Sequence, residues 1–180
     1  MKYAVEFNFD KKLSGKVTQL WEILLKEEIV FPQTKLRPYE PHISLLVFDE
    51  YVKSIQKKIE SFNFDNVLSD ISFDSFGIYK HDYSVLFLNP KFNFNIFAFH
   101  NNFFNHLKSD IGNIMDFTIP GKWNPHCTLV CNNDYKKIIT ALQILEQTVF
   151  PLKGYISYIS LVNFKEGKII YQKEIGVSNS

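Results

Sequence analysis

Pro41-His42-Ile43-Ser44-Leu45 returns 84 positions later as Pro125-His126-Cys127-Thr128-Leu129. In an extended segment side chains alternate between faces with period two, so His42 and Ser44 share one surface while Ile43, Leu45 and Val47 share the other. The second copy reads the same way, with His126 and Thr128 on one face and Cys127, Leu129 and Cys131 opposite. Each stretch thus offers an imidazole and a hydroxyl side by side above an apolar underside.

The repeat extends beyond these five residues. At the offset set by the histidines (126 − 42 = 84), Glu50 meets Asp134, Tyr51 meets Tyr135 and Lys53 meets Lys137. Tyr3 to Phe9 alternates as a strand. Asp10 can cap a helix over residues 11–28 whose apolar residues Leu13, Val17, Leu20, Trp21, Leu24 and Leu25 fall at helical spacing. A loop over 30–40 precedes the first motif strand, His42 to Phe48, and Asp49 is placed to cap a second helix that buries Tyr51, Ile55, Ile59 and Phe62. Strands are expected at 67–79 and 84–88, then a helix over 93–111 carrying Ile96, Phe97, His100, Phe103, Phe104 and Leu107. The second motif strand, His126 to Val130, is followed by a helix capped by Asp134, with Tyr135, Ile138, Ile139, Leu142 and Leu145 inward. Strands at 154–164 and 168–175 flank the turn Lys165-Glu166-Gly167. The pattern predicts an α+β fold: one domain, residues 1–180, of two lobes related by the repeat. Two mainly antiparallel sheets line a central cleft, with helices outside.

Composition narrows the function classes. Hydrophobic residues at 46% and charged residues at 22% describe a globular chain. Proteins that grip long nucleic acid by its backbone usually carry a basic excess, and the net charge here is only +1. A small nucleotide or an RNA terminus fits better than a long duplex, and a monomer with no membrane association is expected. Cys127 and Cys131 lie four apart in a predicted strand, roughly 13 Å between Cα atoms at 3.3 Å per residue, too far for a disulfide. Free thiols in a reduced compartment follow, with a Cys-x-x-x-Cys metal site as the alternative. The N-terminal segment has no signal-peptide core, so a cytoplasmic location is expected. Phosphate-binding, dinucleotide and zinc-protease motifs are all missing from the sequence.

Two imidazoles and two hydroxyls facing one cavity suit in-line phosphoryl chemistry. A neutral histidine can take a proton from the attacking oxygen while a protonated one gives a proton to the leaving oxygen. Ser44 and Thr128 can donate hydrogen bonds to non-bridging phosphate oxygens. Such a site needs no metal or cofactor. Arg37 and Lys122, in the loops before the two motifs, can reach a phosphate, and a solvated loop charge is the alternative for each. Trp123, Tyr79, Tyr83 and Phe48 can stack on a base, against the plainer reading of core packing. His81 falls in an expected hairpin tip, and His100 and His106 read as structural.

These motifs, with Trp123-Asn124 preceding the second, resemble those of the 2H phosphoesterases, a family named for two H-x-[S/T] motifs in a duplicated bilobal fold. It includes the 2′-5′ RNA ligase-like proteins and cyclic nucleotide phosphodiesterases. The resemblance implies that His42 and His126 are the acid/base pair and that Ser44 and Thr128 bind phosphate. It also implies metal-independent opening of a 2′,3′-cyclic phosphate to a 2′-phosphomonoester, or cleavage or ligation at a 2′-5′ linkage. The alternatives are a noncatalytic module binding nucleotides or RNA ends in the same cleft, and a protein-interaction scaffold.

Overall fold

β1 (Tyr3–Phe9) ends at Asp10, and that carboxylate starts the first helix. Its Oδ1 accepts from the Lys12 and Leu13 amides at 2.8 and 3.1 Å, two of the donors that a helix leaves unpaired at its start. Its Oδ2 accepts from the Tyr155 amide of a distant strand at 2.5 Å. One side chain thus both opens α1 (Lys11–Lys26) and fastens it to the sheet. The close approach requires glycine at position 154, where a Cβ would run into the Asp10 carboxylate and come within 2.5 Å of Leu13 Cβ.

The computed structural model of the chain describes residues 1–29, 40–64, 70–80 and 83–175. After α1 come β2 (His42–Tyr51), α2 (Ile55–Ser61), β3 (Asp70–Tyr79) and β4 (Ser84–Pro90). Then follow α3 (Phe94–Leu107), β5 (Ile111–Ile114), a short 3-10 turn at Asp116–Thr118, β6 (Cys127–Asn132), α4 (Tyr135–Ile144), β7 (Leu152–Asn163) and β8 (Lys168–Glu174). Every ladder is antiparallel, so the α+β expectation holds. The strands, however, join in one open eight-stranded sheet ordered β5-β2-β1-β7-β3-β4-β6, with β8 also on β7. The expected two separate sheets are therefore continuous. β7 is the reason: its first residues, Leu152–Tyr155, pair with β3, and from Ile156 to Asn163 it pairs with β1.

Both motif strands carry a β-bulge one residue after the hydroxyl. Val5 opposes Leu46 and Glu6 opposes Ser44, which leaves Leu45 as the extra residue. Leu86 opposes Val130 and Phe87 opposes Thr128, which leaves Leu129 as the extra residue. A bulge shifts the alternation by one. The main core accordingly takes Ile43, Leu45, Leu46 and Phe48, and Val47 turns to a small cluster with Ala4 and Val162. In β6 it takes Cys127, Leu129 and Val130, and leaves Cys131 only half-buried. Strict period two misplaces Val47 and Cys131 for this reason.

Helices cover the apolar side. α1 buries Leu13, Val17, Leu20 and Leu24, each such side chain contributing about 1.5–3 kcal/mol against exposure, while Leu25 stays exposed. α3 buries Phe99, His100, Phe103 and Leu107, and the Phe99 ring packs tilted against Phe7 of β1 with ring centroids 5.1 Å apart. Asn93 and Asp134 cap α3 and α4 through their side chains, the latter as expected. Asp49 does not cap α2, because β2 continues through it to Tyr51; its carboxylate instead accepts from Asn113 Nδ2 at 2.6 Å, across from β5. The turn before β8 does place Gly167 at positive φ, +63°. No helix among the described residues is long and apolar enough to cross a membrane.

His100 ties α3 to the first motif strand. Its Nε2 lies 3.0 Å from the carbonyl oxygens of both Leu45 and Thr118, and since carbonyls only accept, Nε2 carries the proton. The Leu45 carbonyl left out of the ladder by the bulge is met in this way. Burial holds the His100 imidazole below its ordinary titration range, although the two carbonyl bonds oppose that.

Two predictions follow from these contacts. Asp10→Ala is expected to lower stability by about 2 kcal/mol, at the upper end for a lost helix cap, read as a fall in the urea midpoint. A group whose folded-state pKa is depressed supplies stability above its unfolded value of about 6.5 and loses it on acidification. The urea midpoint should therefore drop between pH 7.5 and pH 5, and His100→Gln should remove part of that drop.

Candidate functional site

The two motif strands meet without pairing. β2 and β6 are in contact, yet no ladder joins them, and each presents carbonyls that no neighbouring strand takes up. Two indoles fill this role. Trp123 Nε1 donates to the Ser44 carbonyl at 2.8 Å, and Trp21 Nε1, from α1, donates to the Thr128 carbonyl at 3.1 Å. Each tryptophan thus grips the hydroxyl-bearing residue of one motif, where a bare carbonyl would otherwise be left at a strand edge. Trp123 is itself fixed by His100, whose ring stacks on it at 4.0 Å and 8°. The Cys127 thiol closes the seam from the other side, against the backbone amide of His42; burial pushes its pKa up to about 12, so it remains protonated.

The imidazoles are held alike. His42 Nδ1 lies 2.9 Å from the Glu40 carbonyl and His126 Nδ1 lies 2.8 Å from the Asn124 carbonyl, each two residues back along the chain. A carbonyl can only accept, so Nδ1 carries a proton in both rings, and Nε2 is left as the nitrogen that titrates. The rings are near enough that positive charge on His42 disfavours charge on His126. Neither the Ser44 nor the Thr128 hydroxyl makes a side-chain hydrogen bond among the described residues, and both are half-buried. Two imidazoles and two hydroxyls without a side-chain hydrogen bond among the described residues therefore gather at one seam.

Their surroundings differ. Next to His42, Glu6 Oε1 lies 3.6 Å from Nε2, and both side chains are almost wholly buried. Next to His126 are aromatic rings, Phe87 at 5.1 Å and Tyr79 at 5.3 Å between centroids. Burial among these rings lowers the His126 pKa, the Asn124 carbonyl raises it in part, and the charge of His42 lowers it further. Phe87 also stacks on Tyr79 at 4.4 Å, and it lies over Gly77, where a Cβ would strike its ring. The Tyr79 hydroxyl is shielded from solvent without a hydrogen bond of good geometry; burial pushes its pKa up, and the neighbouring Asn124 side chain draws it partly back.

The remaining sequence candidates divide. Trp123 is buried beneath the first motif, with its indole committed to Ser44. Lys122 is exposed and forms an ion pair with Asp116 at 2.7 Å. Phe48 belongs to the core, Tyr83 is exposed just before β4, and Tyr79 reaches His126. Arg37 and His81 lie outside the described residues. His106 meets the Lys58 carbonyl at 3.0 Å, between α3 and α2. Cys127 and Cys131 are both free thiols. A groove of about 1070 Å³ opens beside the second motif, lined among others by Asn89, Lys91, Phe92, Phe94, Asn124 and Lys153; neither histidine lines it. Glu6, Trp21 and Phe87 are the residues that motif reasoning passes over. Glu6 alone had a visible signal, a carboxylate at the centre of the apolar strand Tyr3–Phe9.

Among curated proteins, no sequence matches this chain. The family model described as the 2′-5′ RNA ligase superfamily matches residues 30–168, a span that contains both histidine motifs and the strands β2 to β7. With that span covering most of the chain, and the paired motifs folded into one seam, the protein belongs to the 2′-5′ RNA ligase superfamily, the 2H phosphoesterases.

Proposed function

We propose that this chain is a metal-independent phosphodiesterase that opens 2′,3′-cyclic phosphates or cleaves 2′-5′ linkages at nucleotide or RNA ends, with His42 and His126 as its acid/base pair. The observation that carries the reading is the seam itself. Two Nε2 nitrogens, each oriented by an Nδ1–carbonyl bond, flank two hydroxyls with no other partner among the described residues. Ser44 and Thr128 donate to the non-bridging oxygens as negative charge grows there. Proton transfer needs one imidazole neutral and one charged, a condition met near neutral pH.

The groove beside Asn124 offers room for the rest of a nucleotide. Phe92 and Phe94 are exposed there, and stacking on such rings is worth about 1–3 kcal/mol per base. Lys91 and Lys153 add positive charge, but Asp70 and Asp74 share the lining. A mixed-charge groove suits a short or terminal substrate rather than a duplex gripped along its phosphates. The working unit is a cytoplasmic monomer of one two-lobed domain in this reading.

Incubation in chelator with 2′,3′-cyclic nucleotides and with 2′-5′ linked dinucleotides, followed by product identification, tests the proposal. His42→Ala and His126→Ala are each expected to cut the rate by roughly 10²- to 10⁴-fold. Turnover that survives either substitution would refute the mechanism. Nucleotide binding without turnover in the wild-type protein would favour the noncatalytic module. Because the His126 pKa is lowered, the limb of the rate profile that His126 sets should lie below pH of about 6.5. Gly77→Ala is expected to displace Phe87 toward His126 and lower the rate by about tenfold, on the order of the cost of a small misplacement of a catalytic group.

A further inference from the structure

Two asparagines occupy matching positions beside the motif histidines. Asn8 of β1 stands directly opposite His42 in the β1–β2 ladder, and no bulge separates that pair from Glu6 and Ser44. Directly opposed residues share a face, with Cβ atoms about 4.5–5.5 Å apart. In β4 the last ladder pair with β6 is Leu88 with Cys127, so Asn89, one step beyond, falls at the register of His126.

Each carboxamide is held at one end by a serine from the strand on its far side. The Ser160 hydroxyl of β7 has a single proton: it accepts from Gln172 Nε2 at 3.1 Å and donates to Asn8 Oδ1 at 2.6 Å. Ser75 of β3 lies opposite Asn89, donates to Asp74 Oδ1 at 3.2 Å and accepts from Asn89 Nδ2 at 3.3 Å. The ends left over are therefore opposite in kind. Asn8 keeps the donor Nδ2 and Asn89 keeps the acceptor Oδ1, and neither atom has a partner among the described residues. Asn8 is only 4% exposed. Among the described residues that are not exposed, the Tyr79 hydroxyl alone is both sealed from solvent and unpartnered, so the Asn8 Nδ2 opens onto accessible space. Asn89 lines the groove.

We propose that the two asparagines orient the substrate: Asn8 donates to a phosphate oxygen next to His42, and Asn89 accepts from a hydroxyl or N–H of the nucleoside in the groove. The assignment rests on the phosphodiesterase reading and adds which way round the ligand lies. An ionised phosphate oxygen only accepts, so it is drawn to the Asn8 Nδ2 and repelled by the Asn89 Oδ1. Ribose hydroxyls and the N–H groups of a base can donate to Asn89. The phosphate accordingly sits toward β1 and the nucleoside toward β4. Ser160 and Gln172 fix which end of the Asn8 carboxamide is presented.

The test is a set of NMR titrations at pH 7 with inorganic phosphate and with adenosine 2′-monophosphate as probes. Asn8→Ala should weaken both by about tenfold or more, the scale of a lost hydrogen bond to a charged group. Asn89→Ala should weaken the nucleotide by about threefold or more, as for a neutral bond, and inorganic phosphate by less than about twofold. Repeating the Asn89→Ala comparison with the 3′-deoxy nucleotide separates the two donors: a loss that vanishes assigns the bond to the ribose, and one that persists assigns it to the base. In the wild-type protein the Asn8 side-chain N–H signals should move when either probe binds, a reading that needs no variant to fold. Unmoved Asn8 signals, or an Asn8→Ala protein that holds both probes within about twofold of the wild type, would overturn the proposal. Equal losses of inorganic phosphate in the two variants, or a wild-type protein that binds neither probe, would do the same. None of these readings requires turnover, so an inactive protein that binds phosphate through Asn8 removes the phosphodiesterase reading alone.

Discussion

The site depends on a gap. β2 and β6 touch without forming a ladder, and the carbonyls that pairing would have consumed are met by Trp21 and Trp123. Were the two strands hydrogen-bonded as neighbours, their side chains would stand at the close spacing of adjacent strands and leave no opening between them. Were the carbonyls left bare, each would cost about 1–3 kcal/mol in a place largely shielded from water. The indoles resolve the conflict by bonding the backbone from outside the seam. Buried His100, stacked on Trp123 and bonded to Leu45, extends this support into α3.

Both motifs place a bulge immediately after the hydroxyl residue. The consequence is that His-x-Ser and His-x-Thr keep their shared face while the residues beyond them change sides, so that Leu45 with Leu46, and Leu129 with Val130, all enter the core. Consecutive apolar side chains anchor each strand directly behind its hydroxyl, which helps to hold the polar pair in place. Bulges next to functional residues often re-aim side chains in this way.

Within this shared frame, the two imidazoles have different neighbours. Glu6 lies 3.6 Å from the His42 Nε2, whereas Phe87 packs its ring against His126. Gly77 belongs to the same arrangement, since the absence of a Cβ lets Phe87 lie across β3 and reach His126. The two histidine settings are therefore distinguished by the neighbouring strands, β1 and β4, rather than by the motifs.

The sequence by itself determined the elements whose cause is local. The paired motifs, the caps at Asp10 and Asp134, the stripe Leu13-Val17-Leu20-Leu24 and the turn at Gly167 are all stated by residue type and spacing over a few positions, and all are present. Asp49 shows the limit of such signals: a good capping residue stays in a strand because β5 arrives from far along the chain to pair with β2. Only the tertiary structure decided the bulges, the continuity of the sheet through β7, the commitment of Trp123 to a backbone carbonyl and the pairing of Glu6 with His42. Each of these depends on which strand becomes a neighbour, and a hydrogen-bond register between segments distant in sequence leaves no periodic trace in either one.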